Sequence, residues 1–324
     1  MSTLYAGPGK VYMNSQVLFP EGEHGELKAE VQQQAVDVVS GFHGRVTALQ
    51  GDAQAKISLT PFDNWSALPL LLPAYLGVSV GATSGALVIG SRPHGAADVP
   101  AKIWTPDGRL YTFVRAGVTK HPDLHLGINK SMFGRVEITA LVASAKKLGD
   151  AAALYTITES GAGDPGGQQG TDYTRGAWTG VWGTAAGFGG DQNGTPIEAE
   201  DEWAITCAIK YWPLTVQQLV RGYKLDSVAF MAKVRPFGPT HSQIDAVIGV
   251  NAGRTLGSQL ANATTGADLT LSGPSSKTIT LKNADVVGAG FEFGGTKLGS
   301  GELGFVTTMR FTAGAPQPLL VFSA

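Results

Sequence analysis

One ordered set of short motifs occurs twice along this chain of 324 residues. The segment Ala55–Phe62 has a counterpart in Phe230–Phe237, and both run from an alternating apolar pattern into Pro-Phe. Further matches, all at one constant spacing, pair Pro106, Thr112, Ala116 and Val118 with Pro274, Thr280, Ala284 and Val286. Matches that keep their order at a nearly constant spacing are typical of duplicated units. The sequence therefore predicts two copies of one domain.

The remaining matches define the extent of each copy. Leu126–Lys130 and Gly134 correspond to Phe293–Lys297 and Gly301 at almost the same spacing, and Ile138 then corresponds to Phe305. Pro61 and Pro236 are spaced more widely than these pairs, so the first copy carries about seven extra residues before its next strand, an insertion that a surface loop tolerates. The predicted domains are residues 1–155, with an irregular N-terminal arm over 2–25, and residues 201–324. A glycine-rich linker over 156–200 joins them.

Local patterns predict mostly strands. Apolar and polar residues alternate in Gln54–Leu59, Leu110–Val114 and Lys277–Leu281, with turn residues between such segments. Helix signals are short: Asp63 is a candidate N-cap for a helix over Leu68–Leu76, and Thr240 for one over His241–Ile248. The predicted fold class is mainly β, with two tandem β-barrel or sandwich domains that each carry a short helix.

The charge content limits what the chain binds. Only 15% of the residues are charged, against roughly 25% in average globular domains. The net charge of −2 provides no basic surface for a phosphate backbone, which argues against sequence-specific DNA binding. Few charges indicate a surface that other protein subunits cover. The single cysteine, Cys207, excludes an intramolecular disulfide, and we expect it to be a small apolar residue within Trp203–Ile209.

Two features bear on cellular location. Asn64–Ser91 contains no charged residue and is long enough to span a bilayer, but its prolines and glycines argue against a continuous helix. The N-terminal residues show no positive region followed by an apolar run, so no secretory signal is expected. Maturation in a cytoplasm is the expectation.

Candidate catalytic and metal-binding residues are sparse. Gly77–Gly81 matches the nucleophile-elbow pattern around Ser79, but the residues after it lack an amphipathic helical pattern. His121, Asp123 and His125 lie at alternate positions and would share one face of an extended segment, as metal ligands or as an exposed polar loop edge. Asp164–Gln168 lacks the spaced carboxylates of a calcium loop, and the paired carboxylates over 198–202 are interpreted as a solvated acidic run. The prediction is a protein that is not an enzyme and has no catalytic residue, cofactor or metal.

The repeated unit resembles the domain of phage tail tube proteins, the major tail proteins of long-tailed phages. The resemblance lies in the strand that enters Thr60-Pro61-Phe62 before a short helix, and in Arg235-Pro236-Phe237-Gly238. Val36–Val46 is similar to the long strand pair that leads into that helix, and Gly301–Val306 to the closing strand.

The resemblance implies β-domains whose sheets join sideways into rings, which stack into a hollow tube through which DNA passes without sequence-specific binding. Single-domain members form hexameric rings, so a chain with two copies would need three subunits for a trimeric, pseudo-hexameric ring. The implied partners are further copies of the chain, together with tape measure and tail terminator proteins. The implied location is the virion tail, assembled in the host bacterial cytoplasm.

Two other functions remain open from the residues. A two-domain β binding module for carbohydrates or surfaces would use exposed aromatic residues for stacking, with Trp104, Trp178, Trp182 and Trp203 as candidates. An esterase would use Ser79 and would need a histidine and an acid that converge on it.

Overall fold

The computed structural model describes residues 9–13, 16–18, 27–72, 77–80, 85–88, 99–141, 154–158, 175–183, 196–216, 219–237, 267–288, 291–294, 297–308, 311–312 and 315–323. The strands of the first half are β1 (Lys10–Met13), β2 (Gln16–Leu18), β3 (Lys28–Ser40), β4 (Gly44–Leu59), β5 (Gly77–Val80), β6 (Gly85–Val88), β7 (Val99–Trp104), β8 (Leu110–Lys120), β9 (Leu124–Gly127), β10 (Val136–Leu141) and β11 (Tyr155–Thr158). Those of the second half are β12 (Thr179–Trp182), β13 (Ile197–Val216), β14 (Leu219–Pro236), β15 (Ala267–Ser272), β16 (Thr278–Gly288), β17 (Phe291–Gly294), β18 (Lys297–Ser300), β19 (Leu303–Thr307), β20 (Phe311–Thr312), β21 (Ala315–Pro316) and β22 (Leu320–Ser323). The mainly β fold class is confirmed.

Helical structure in the described residues is limited to short turns. A 3-10 turn (Trp65–Ala67) leads into α1 (Leu68–Leu71), and a second 3-10 turn spans Pro274–Ser276. The predicted Asp63 cap is wrong, since α1 starts after Ala67 with no side-chain cap and Asp63 binds other groups. A proline in the first turn of α1 lacks the N–H that a cap would satisfy. The helix ends at Leu71, short of the predicted Leu76, and the helix predicted over His241–Ile248 lies outside the described residues.

No helix in the described part of the chain is long and apolar enough to cross a membrane. The uncharged segment over 64–91 instead contributes the short turns around Trp65 and the strands β5 and β6.

The first sheet has the order β2-β1-β7-β8-β10-β4-β3, and β11 pairs with the first half of β8. Its neighbouring strands are antiparallel, and β3 and β4 form a long hairpin with a turn over 41–43. Gly44 has φ +69°, a left-handed conformation that glycine adopts without a Cβ penalty, so it ends the turn. This sheet is the core of the first unit.

The second sheet closes on itself. Strands β12, β13, β14, β19, β16 and β15 each pair with the next, and β15 pairs back to β12. A six-stranded barrel results, and β22 pairs with the first half of β16. Alternate residues point inward and fill the barrel, among them Trp203, Phe230, Leu281 and Phe305, each fully buried. This barrel is the core of the second unit.

The two units share their strand pairing residue by residue. In the first, Ile138 of β10 lies between Ile57 of β4 and Val118 of β8. In the second, Phe305 lies between Ala232 of β14 and Val286 of β16. The differences in residue number between these equivalent positions are the same as those between the matched sequence motifs. The register shift next to Ile138 recurs next to Val286, so even the irregularity is duplicated.

The hairpins and flanking strands repeat as well. Lys28 pairs with Ser58 as Ala204 pairs with Lys233, and the match continues down both hairpins to Ser40 opposite Gly44 and Val216 opposite Leu219. The equivalent strands are β1 and β12, β3 and β13, β4 and β14, β7 and β15, β8 and β16, β9 and β17, β10 and β19, and β11 and β22. Leu124 bridges Phe133 just as Phe291 pairs with Ser300.

The structure also refines the predicted segment boundaries. β11 lies at the junction of the predicted first domain and linker, and it belongs to the first sheet. β12 falls inside the predicted linker over 156–200 and pairs with β13 and β15 of the second unit. The strand predicted to close the unit, over Gly301–Val306, is β19, and β22 follows it and adds a further strand. The rest of the linker, over 159–174 and 184–195, lies outside the described residues.

Candidate assembly interface

A strand of the first unit adds to the sheet of the second by pairing with part of β13. β9 pairs antiparallel with β13, so that Leu126 lies opposite Trp203 and Leu124 opposite Ile205. All four side chains are buried. At Gly127 a Cβ atom would lie 2.8 Å from the backbone oxygen of Asp201, so only glycine allows this approach. The two units are therefore joined by backbone pairing as well as by side chains.

A second strand contact covers another edge of the second unit. The hairpin of β5 and β6 comes from the first half of the chain, and β6 pairs with β22, with Leu87 opposite Leu320 and Gly85 opposite Phe322. Phe322 is 1% exposed and meets the indole of Trp65 edge-on at 6.2 Å between ring centroids. The first unit thus covers two edges of the second, at β13 and at β22.

Asp63 anchors the connection between the units. Its carboxylate is fully buried and accepts hydrogen bonds from Ser131 Oγ at 3.1 Å and Met132 N at 2.6 Å. Its other oxygen accepts from Arg175 Nε at 2.6 Å, on the segment that leads into β12. Buried carboxylates are stable only when charge and hydrogen bonds compensate for lost hydration. Asp63 therefore holds a loop of the first unit and the start of the second in one geometry.

An aromatic cluster lies beside this carboxylate. Trp65 stacks on Trp178 with 6.3 Å between ring centroids, and both indoles are buried. The ammonium of Lys277, itself 1% exposed, lies 5.9 Å from the centroid of the Trp65 ring, within the range of a cation–π interaction. Trp65 and Arg175 were not predicted as contact residues, since no sequence motif links either of them to this cluster.

His121 joins the two units as a neutral residue. Its Nδ1 donates to the Leu71 carbonyl at 2.5 Å, and its Nε2 accepts from the Tyr211 hydroxyl of β13. Burial lowers the pKa of His121 from 6.5 to about 4, although the bond to Leu71 acts in the opposite direction. Both ring nitrogens are occupied within the protein, so neither is available to a metal ion.

This burial makes stability depend on pH. In the unfolded chain His121 binds a proton near pH 6.5, but in the folded chain only near pH 4, so acid favours unfolding in this window. We expect the free energy of unfolding to fall by about 2 kcal/mol between pH 7.5 and pH 5 through this group, with further loss down to about pH 4. Urea titrations at several pH values measure it. The His121→Gln variant should lose this component, whereas His43→Gln, in the exposed hairpin turn, should keep the wild-type slope. Equal slopes in wild type and His121→Gln would contradict the assignment.

The other two predicted metal ligands have separate partners. Asp123 Oδ1 accepts from the backbone N–H of Cys207 at 3.1 Å, and His125 Nδ1 lies 3.1 Å from Glu202 Oε2. Among the residues that the structure describes, no three His, Cys, Asp or Glu side chains are grouped to hold a metal ion. The alternating motif therefore serves contacts between the units.

Cys207 is a buried thiol at the same contact. It is 8% exposed, and burial, with Asp123 nearby, raises its pKa well above the ordinary value. The thiolate is the reactive form of cysteine, so this residue is chemically inert at neutral pH. The predicted role of a small apolar residue agrees with this burial.

The structure places the remaining candidate residues that it describes in separate parts of the fold. Ser79 lies in β5 opposite Ala86 of β6, within a hairpin, whereas a nucleophile elbow places its serine between a strand and a helix. Trp178, Trp182 and Trp203 are core residues with at most 3% exposure. Trp104 is half-buried beneath Lys10, whose Nζ lies 5.2 Å from the ring centroid. The motif over 164–168 lies outside the described residues.

Equivalent positions in the two units differ sharply in exposure. Cys207 of β13 is 8% exposed beneath the first unit, but its equivalent in β3, Val31, is 52% exposed. Phe322 of β22, which pairs with β6 and contacts Trp65, is 1% exposed, but its equivalent in β11, Ile157, is 43% exposed. The edges that are covered in the second unit are thus exposed in the first. We call β3 around Val31 and β11 around Ile157 the open edges.

No protein family matches the chain, and no curated protein matches it.

Proposed function

We propose that this chain is a structural subunit that assembles through its own copies into rings, and that the rings stack into a hollow tube of the phage tail type. The observation that carries the proposal is the contrast between the two units. The first unit covers two edges of the second, while the same two edges of the first are exposed. A contact that repeats from unit to unit would cover them with the next chain.

Such a contact is head-to-tail, because one face of a unit meets a different face of its neighbour. Head-to-tail contacts form closed rings when the rotation between units divides a full turn, and open helices otherwise. Six units in a ring, as in the tail tubes that the sequence resembles, require three chains. Each ring would then contain three contacts within chains and three between chains.

The surface chemistry supports a structural role. Val31, Val39 and Ile157 are exposed apolar side chains on strands of the first sheet, with exposures of 52%, 65% and 43%. Exposed sheet edges and apolar surface are sites of association between chains, and the charged Lys28 and Glu30 on β3 call for a partner of matching charge. The net charge of −2 gives no strong attraction for DNA, which suits a wall past which DNA slides.

Negative-stain electron microscopy tests the proposal. The samples are the concentrated purified protein and particles from cells that also carry the neighbouring genes. We expect rings or tubes with a central hole, and averaged end views with three-fold symmetry and six lobes. Dispersed monomers in both samples would contradict the proposal, and closed oligomers without a hole would favour a binding module.

A further inference from the structure

We infer that β17 of one copy adds to the edge of β3 of the next copy as an antiparallel strand, with Glu292 opposite Lys28. This inference rests on the proposed function and names the surface through which the chains would join. Within one chain the equivalent strands, β9 and β13, already pair in this way. The partner is therefore a second copy of this chain.

The duplication makes the strands of this contact equivalent position by position. The bridge from Leu124 to Phe133 matches the pairing of Phe291 with Ser300, so β9 is the counterpart of β17. The hairpin registers likewise make β13 the counterpart of β3, with Ala204 in the place of Lys28.

The register between chains follows from these equivalences. Within the chain, Leu126 lies opposite Trp203, His125 opposite Ala204 and Leu124 opposite Ile205. The same pairing between chains puts Phe293 opposite Leu27, Glu292 opposite Lys28 and Phe291 opposite Ala29.

Neither strand has a described partner on the edge that this pairing would use. Among the described strands, β3 pairs with β4 alone and β17 pairs with β18 alone, so each has a second edge that no described strand occupies. The residues at 28–32 of β3 are exposed. An edge strand with exposed backbone groups is a template for a strand of another chain.

The residues brought together are chemically compatible. Lys28 and Glu292 carry opposite charges, and opposite charges on facing residues stabilise an antiparallel pair. Lys28 lies 2.5 Å from Glu30 on the same strand, so the incoming carboxylate would join an existing ion pair that includes this ammonium. The residues on either side of Glu292 in the sequence, at 291 and 293, are both phenylalanine.

The second open edge is consistent with the same neighbour. Within the chain, the unit that supplies β9 to β13 also supplies β6 to β22. In the first unit the equivalents of β13 and β22 are β3 and β11, the two open edges. One neighbouring copy in the same relative orientation would therefore lie next to both of them.

Disulfide cross-linking tests the register. The double variant Lys28→Cys/Glu292→Cys is made in a Cys207→Ala background, concentrated, and oxidised before non-reducing electrophoresis. Facing residues of an antiparallel pair have Cα atoms about 4.5–5.5 Å apart, within the range that a disulfide bridges. We expect covalent products up to a closed trimer, and reduction should return them to single chains.

Two matched variants serve as controls. His125→Cys/Ala204→Cys occupies the equivalent pair inside one chain and should give an intramolecular disulfide without oligomers. Glu30→Cys/Glu292→Cys is two residues out of register and should cross-link at least tenfold less, because its Cα atoms would be more than about 7 Å apart.

The results separate this inference from the proposed function. Rings in the microscope with no Lys28–Glu292 cross-link would overturn the strand register and leave the tube assignment intact. Cross-linked trimers without rings or tubes would support the strand contact and count against the tube. Equal cross-linking of the in-register and shifted variants would overturn the register, since random collisions would explain both.

Discussion

The Asp63→Ala variant is expected to lose about 3–5 kcal/mol of unfolding free energy. Removing one partner from a buried, hydrogen-bonded charge pair leaves the other groups without compensation, and losses of about this size are usual. Here the orphaned groups are the Met132 N–H, the Ser131 hydroxyl and the Arg175 guanidinium, all of which bind this one carboxylate. Urea unfolding followed by tryptophan fluorescence measures the loss, and also reports on the Trp65–Trp178 stack beside it.

The matched control is an exposed ion pair. Asp37 lies 2.9 Å from Arg45 with both side chains largely in solvent, so Asp37→Ala should cost no more than about 0.5 kcal/mol. A similar small cost for Asp63→Ala would show that the buried carboxylate is not what holds the loop and the start of the second unit together.

The second large effect concerns assembly. We expect Ile157→Asp to abolish ring formation at concentrations where the wild type assembles, because a carboxylate would be buried without a partner at each contact between chains. A penalty of about 3 kcal/mol per contact weakens association roughly a hundredfold. The isolated chain should keep its fold, since Ile157 is already 43% exposed. Sedimentation velocity and circular dichroism separate the two effects.

The duplication provides unusually close controls for this variant. The same substitution at the equivalent position, Phe322→Asp, should prevent folding, because Phe322 is 1% exposed and packs against Trp65. Val114→Asp also places a carboxylate at an exposed apolar residue, but the equivalent residue in the second unit, Lys282, is charged and half-buried. A charge is therefore tolerated at this position, and assembly should persist. Normal rings from Ile157→Asp would show that the edge at β11 is not a contact between chains.

Much of the fold could be predicted because the motifs that pair in the sheets occur twice in the sequence, in the same order and at nearly the same spacing. The spacings between motifs, such as Pro61 with Pro236 and Ile138 with Phe305, are the spacings that the paired strands keep. The pairing of β9 with β13 could not be predicted in this way, because it joins different parts of the two units and has no repeated motif. The Asp63 cap failed for a physical reason: the same carboxylate that suits a helix start also suits an arginine partner, and only the tertiary structure decides between them.

The candidate site was harder to predict because equivalent positions have diverged. The His121, Asp123 and His125 motif was interpreted as metal ligands or an exposed loop edge, but its residues bind Tyr211, Cys207 and Glu202, which are far away in sequence, and His121 is buried. Whether the side chains of an alternating polar motif bind a metal or contact another strand depends on which residues lie opposite them in the folded chain. Exposure likewise depends on the neighbour, so Val31 and Cys207 could not be distinguished by pattern alone.

The contact between β9 and β13 responds to dilution differently from a contact between separate chains. Because both strands belong to one polypeptide, that contact forms at an effective concentration fixed by the connecting chain and does not weaken as the protein is diluted. In the proposed ring, only the contacts from chain to chain follow mass action, and these are half of the total. Selection on the contact within the chain therefore favours a stable, permanent interface. Selection on the contact between chains sets the concentration at which subunits begin to polymerise.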